Sequence, residues 1–215
     1  MSHDKQLKQS VLDELKWEPS VNAADIGVTA KDGIVTLMGS VSTYTEKHAA
    51  ETAALRVKDV KAVAEEIEVK LPFDVKHGDA DIARAATERL AWNVSVPKDA
   101  VKVTVSKGWI TLTGQVEWHY QQESAVDAVS HLWGVTGVSN QISIKPKVNA
   151  GDIKQNIVTA LNRSWFSPEH VDVSATGGMV TLTGNVEYWG ERELAGTTAW
   201  AAPGVTSVNN EIRVN

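Results

Sequence analysis

Asp32-Gly33-Ile34-Val35-Thr36-Leu37-Met38-Gly39-Ser40-Val41 recurs as Lys107-Gly108-Trp109-Ile110-Thr111-Leu112-Thr113-Gly114-Gln115-Val116, and again as Gly177-Gly178-Met179-Val180-Thr181-Leu182-Thr183-Gly184-Asn185-Val186. An internal repeat sets class and domain count before any single motif does. Downstream, Asp59-Val60-x-x-Val63-x-x-x-Ile67 matches Gly134-Val135-x-x-Val138-x-x-x-Ile142 and Gly204-Val205-x-x-Val208-x-x-x-Ile212. The step from the turn glycine to that first valine, Gly33 to Val60, Gly108 to Val135 and Gly178 to Val205, has the same length in every copy. Upstream, Leu7 to Ile26 and Ile82 to Val101 are equal steps, and Ile153 to Val171 is one position shorter. Three copies of this unit account for nearly all of the 215 residues.

Each unit reads as an order of elements. Leu7, Val11, Leu12 and Leu15 recur at helical spacing, as do Ile82, Ala86 and Leu90, and Ile153, Ile157 and Leu161. Alternation follows at Ile26 and Val28, then at Val35, Leu37 and Val41, around a short glycine turn, which is a hairpin signal. Gly33, Gly108 and Gly178 are expected to supply that turn's positive φ, which a Cβ resists. A second helix carries Ala50, Ala53, Ala54 and Val57 on one face, small enough to lie close to a sheet. Thr43-x-x-Glu46 forms a capping box pattern in the first copy only. Gly134 and Gly204 stand where a helix C-cap glycine belongs, with Asp59 as a poorer substitute. A last strand runs through Val63, Ile67 and Val69. The expectation is an α+β fold: three tandem α-β-β-α-β domains over 3–71, 79–145 and 151–215, each a three-stranded mixed sheet with two helices on one face.

Units this small have thin cores and need support from disulfides, metals or neighbours. The chain has no cysteine, so packing between repeats or between chains must supply it. The linkers Pro72-Phe73-Asp74-Val75-Lys76-His77-Gly78 and Pro146-Lys147-Val148-Asn149-Ala150-Gly151 are short. The N-terminal residues are polar, with no apolar secretory segment and no stretch long enough to span a bilayer, so a cytoplasmic location is expected. Net charge is −6. Nine basic against thirteen acidic residues give −4 for 1–75, eight against seven give +1 for 76–148, and four against seven give −3 for 149–215. An acidic chain without a basic run argues against nucleic-acid binding, and the middle unit is the one least repelled by an anionic surface.

The pattern Asp/Lys-Gly-x-Val/Ile-Thr-Leu-x-Gly-x-Val, an alanine-bearing helix, then Gly-Val-x-x-Val-x-Asn-x-Ile resembles the BON domain family. Copies two and three match the second block fully, with Asn140 and Asn210; copy one has Asp59 for the glycine and Glu65 for the asparagine. Those departures imply a different turn or surface in the first unit. The resemblance implies non-catalytic α/β modules of the bacterial envelope, linked to osmotic and other stress and to attachment to phospholipid surfaces or envelope and other proteins. It also implies a periplasmic location as the alternative to a cytoplasmic one.

The candidate positions divide into scaffold and surface. The glycine pairs Gly33/Gly39, Gly108/Gly114 and Gly178/Gly184 are the family hallmark; they read as turn and strand-end geometry, against a reading as ligand approach points. Eight tryptophans stand beside only two phenylalanines. Trp17, Trp92 and Trp165 follow the first helix of each unit and are expected to cap its core. Trp118, Tyr120, Trp133, Tyr188, Trp189 and Trp200 gather near the ends of the second helix, as packing between repeats or as contacts to lipid or partner. The histidines show no metal-ligand spacing, and no catalytic or cofactor motif is visible. Glu65-Glu66-x-Glu68 reads as a solvated strand edge. The function expected is a non-enzymatic adaptor binding phospholipid or protein, with self-association through aromatic surfaces into a homo-oligomer as the alternative.

Overall fold

The computed structural model describes residues 3–71, 77–145, 152–164 and 170–214. Trp165 and most of both linkers lie outside the described residues. The first repeat holds α1 (His3–Trp17), a 3-10 turn at Ala23–Asp25, β1 (Ile26–Lys31), β2 (Ile34–Val41), α2 (Tyr44–Leu55) and β3 (Ala62–Val69). The second holds α3 (Asp79–Trp92), β4 (Val101–Ser106), β5 (Trp109–Val116), α4 (His119–Ser130) and β6 (Gly137–Ile144). The third holds α5 (Ile153–Leu161), β7 (Val171–Thr176), β8 (Met179–Val186), α6 (Trp189–Trp200) and β9 (Ser207–Val214). This is the expected α-β-β-α-β order three times, in three three-stranded sheets ordered β1-β2-β3, β4-β5-β6 and β7-β8-β9.

Residues gather into two compact units. One comprises Met1–Glu88 with Thr104–Thr111 and Ala128–Ser139; the other comprises Arg89–Val103, Leu112–Asp127 and Asn140–Asn215. The second repeat thus contributes residues to both.

In the first unit β1 pairs antiparallel with β2 and β3 pairs parallel with β2, so each sheet face carries every second residue. Val35, Leu37 and Val41 of β2 face Leu7, Val11 and Leu15 of α1 and Ala50, Ala53 and Ala54 of α2, all buried. In the second unit Val180, Leu182 and Val186 meet Ile157, Leu161, Ala195 and Ala199 in the same way. The alanines let α2 and α6 lie close to the sheet; the bulk comes from α1, α5 and the strands.

The hairpin is a two-residue turn with both residues left-handed: Asp32 and Gly33 at φ 54° and 85°, Lys107 and Gly108 at 53° and 77°, Gly177 and Gly178 at 57° and 90°. That conformation matches the right-handed twist of the flanking strands. The turn glycine's carbonyl accepts the N–H at the start of the last strand: Lys61 at 2.8 Å, Thr136 at 3.0 Å and Thr206 at 2.8 Å. This bond closes the strand–helix–strand segment on itself, which accounts for the unvarying step from turn glycine to valine. Asp59, at φ 73°, takes the same left-handed position as Gly134 and Gly204, at 88° and 89°, so the first repeat keeps the turn its sequence departs from.

The side chain of the third helical residue caps the second helix in every repeat, a correction to the reading of one capping box. Glu46 accepts the N–H groups of Asn22 and Ser42, Gln121 those of Glu117 and Trp118 through its amide oxygen, and Glu191 those of Glu187 and Tyr188. In the first repeat Thr43 adds the hydroxyl half, accepting from the Glu46 N–H at 3.1 Å.

Candidate binding surface

Among the described residues every buried core residue is aliphatic, and the aromatic rings lie at the surface or half-buried. Trp17 and Trp92 are 83% and 87% exposed, so they do not cap the cores. Helical phase explains the correction. Each sits two residues beyond the last core position, Leu15 or Leu90, about 200° round the helix and therefore on the outer side. Val94, just after Trp92, is fully exposed. The loop beneath them is held: the Asn93 amide donates to the Ser124 carbonyl at 3.2 Å, its oxygen accepts the Ser95 N–H at 2.9 Å, and Val96 is buried.

The aromatic residues near the ends of the second helix fall into three settings. In the first unit, Tyr44 and Thr45 at the start of α2 border a cavity of about 210 Å³ with Leu132, Trp133 and Val135 beyond the end of α4. The Thr45 hydroxyl donates to the Ser130 carbonyl at 3.5 Å. Burial raises the Tyr44 phenol above its ordinary pKa, helped by the Glu51 carboxylate and opposed by a backbone hydrogen bond from Val138. In the second unit, Trp118, His119 and Tyr120 at the start of α4 border a groove of about 380 Å³ with Trp200 at the end of α6. The His119 ring lies flat on Trp200, with centroids 3.9 Å apart and planes 10° from parallel. Burial holds its pKa below the usual histidine value, against the pull of the Glu123 carboxylate 3.5 Å from Nδ1.

At the start of α6 the same positions are open. Tyr188 is 63% exposed and Trp189 38%, with the Arg192 guanidinium 4.7 Å over the Trp189 ring. Trp133 is exposed as well. Trp109, which stands where the other repeats have Ile34 and Met179, lays its ring over the bare backbone of Gly137.

The hallmark glycines serve the backbone. A Cβ on Gly39, Gly114 or Gly184 would collide with the carbonyl oxygen of Asp25, Ala100 or His170, the chain's own neighbouring segment. One recurrent device escaped the sequence reading. Lys47, Gln122 and Arg192 reach the carbonyl of Ile67, Ile142 and Ile212 at 2.8, 2.6 and 2.9 Å. Glu65, Asn140 and Asn210 accept the N–H of those same isoleucines at 2.7, 3.1 and 3.2 Å. The two side chains occupy the outward N–H and C=O that an edge strand leaves unpaired. Glu65 is therefore a half-buried partner of Lys47, 2.9 Å away, rather than a solvated charge. The signal was in the repeat register: Lys47, Gln122 and Arg192 share one position of the unit, and Glu65, Asn140 and Asn210 share another.

Among the described residues no group of three acidic or histidine side chains is placed to hold a metal, and no helix is long and apolar enough to cross a membrane.

A small α-β-β-α-β module repeated in tandem, with aliphatic cores and exposed rings, defines a class of repeat protein. The BON domain model matches over residues 3–70, 78–146 and 149–215, and the chain belongs to the BON domain family. It is 29% identical over 144 residues to osmotically-inducible protein Y of Escherichia coli (strain K12), covering 63% of this chain and 72% of that protein. Among solved structures it is similar to the C-terminal domain of CdsD, the structural protein of the type III secretion system of Chlamydia trachomatis. That likeness is 16% identity over 97% of both chains at a TM-score of 0.27. A second CdsD structure covers 98% of this chain and 92% of its own, also at 0.27.

Proposed function

We propose that the chain is a non-catalytic adaptor that docks on phospholipid surfaces through bare rings at the ends of its first helices, in a stress-related setting. The observation carrying this reading is Trp92 with Val94: a large ring and an aliphatic side chain, almost wholly in water, at a helix end braced by Asn93. An exposed indole with a rigid backbone behind it suits a membrane interface, because little freedom is lost when it inserts. The exposed cations Arg89 and Lys98 flank the pair, in the repeat whose net charge is +1. Trp17 offers a second ring of the same kind in the first repeat. The stress setting is supported by similarity to a protein named for osmotic induction.

Flotation with phosphatidylglycerol and with phosphatidylcholine vesicles tests the docking. Burying most of the Trp92 side chain contributes about 1.5–3 kcal/mol, so Trp92→Ala is expected to weaken partitioning at least about tenfold without altering the thermal midpoint. Unchanged flotation of a Trp92→Ala/Val94→Ser chain removes this surface from the account. Cell fractionation distinguishes a cytoplasmic from a periplasmic membrane face.

A further inference from the structure

The first residue of the second helix plays the same part twice. Tyr44, His119 and Trp189 open α2, α4 and α6. Tyr44 meets the residues that follow α4, in the first unit. His119 meets Trp200 at the end of α6, in the second. In both cases the start of one repeat's second helix covers the C-terminal end of the next repeat's second helix.

Each face has one copy left over. At the start of α6, Tyr188 and Trp189 are exposed, where Trp118, Tyr44 and His119 are half-buried. At the end of α2, Asp59 is exposed and Val60 half-buried, where Gly134, Val135 and Val205 are buried. Alongside Asp59 runs an open groove of about 490 Å³, bordered by Leu7, Glu14, Arg56, Val57 and Lys58. Leu55 and Lys58 hold the register positions of Trp200 and Trp133.

We infer that the Tyr188–Trp189 face of one chain docks on the end of α2 in a second copy, over Leu55 and Lys58 beside the open groove, repeating between chains the contact made twice within one. The Trp189 ring then lies on the Leu55 side chain and the Lys58 stem, with the Lys58 ammonium near the ring face. Such a contact joins two different faces, so it is heterologous, and adding a chain leaves one face of each kind free. It follows from the repeat register and from burial, and is independent of lipid docking.

Sedimentation velocity on the full chain, without lipid, tests it. Because each chain carries net charge −6, about 0.15 M salt is used to screen repulsion. Over roughly 10–500 µM, the range of small transient interfaces, the wild-type sedimentation coefficient is expected to rise steadily with no plateau at the dimer. Trp189→Ala, which removes the ring, and Lys58→Glu, which alters only the groove, should each weaken association about tenfold or more. Mixed together, the two variants retain one intact face each, so they should associate again and stop at two chains. A wild-type chain that stays monomeric at the highest concentration overturns the inference. So does a Lys58→Glu chain that associates as the wild type does, whether or not Trp189→Ala folds, and so does a mixture that fails to associate.

Discussion

Gly39 lies against Asp25 so closely that a Cβ on it would strike the Asp25 carbonyl oxygen, and Gly114 with Ala100 and Gly184 with His170 repeat the relationship. Their φ angles, 130° to 143°, also lie where side chains are rarely found. Gly39→Ala, Gly114→Ala and Gly184→Ala are each expected to cost about 3 kcal/mol or more in urea unfolding. Gly190→Ala is the contrast. It sits inside α6 with nothing within 4 Å of the added Cβ, and should stabilise by roughly 0.5–1 kcal/mol. Equal costs at the two kinds of site would contradict the account of the hallmark glycines as backbone contacts.

The stack of His119 on Trp200 should depend on pH. Burial lowers the folded-state pKa of His119, so the neutral ring is the favoured form. A depressed histidine pKa contributes stability that is fully present above the unfolded value of about 6.5 and is lost as pH falls through the folded value. The Trp200 indole resonance should therefore shift as pH falls below the unfolded histidine value of about 6.5 in the wild type. In a His119→Phe chain, which keeps a ring without a titrating group, that shift should vanish.

Asp79 clamps the hairpin turn of its own repeat, accepting the N–H groups of Lys107 and Gly108 at 2.8 Å each. The bonds from Gly108 and Lys107 hold its carboxyl below the ordinary aspartate pKa. Its contribution is therefore present above the unfolded aspartate value of about 3.9 and lost as pH falls through the folded one. Asp79→Asn should lower the denaturation midpoint at neutral pH and flatten its decline below about pH 4. A wild-type decline that persists unchanged in the variant would assign it to other carboxylates.

The edge-strand pair implies that its side chains can be exchanged between repeats. Glu65→Ala removes both the acceptor for the Ile67 N–H and the partner of Lys47, and is expected to cost about 1–2 kcal/mol. Glu65→Asn with Lys47→Gln recreates the side chains of the second repeat, Asn140 and Gln122. That double variant should stay within about 0.5 kcal/mol of wild type by chemical denaturation.

The fold was legible because its decisive features are local and stated three times. A two-residue turn with positive φ, alternation on either side of it and an alanine face on a helix each follow from residues close in sequence. What escaped was phase and distance. Trp17 and Trp92 looked like core caps because they follow core helices, yet a step of two residues carries a side chain to the opposite side. Gln121 and Glu191 carry no capping-box pattern, because no Ser or Thr stands at the position corresponding to Thr43. The strand pattern alone marks Glu65 as solvated, because its partner Lys47 comes from the preceding helix. The pairing of His119 with Trp200 joins two different repeats, and no local pattern marks it.

The absence of cysteine makes one measurement especially direct. Val94→Cys and, as a control on the outer side of α1, Gln9→Cys each give a single attachment point for a polarity-sensitive fluorophore. On adding phosphatidylglycerol vesicles, the label at residue 94 is expected to shift to the blue and become shielded from aqueous quencher, while the label at residue 9 does neither. Binding of the chain with residue 94 still fully accessible to quencher, or no binding at all, would contradict the assignment of membrane docking to the Trp92–Val94 tip.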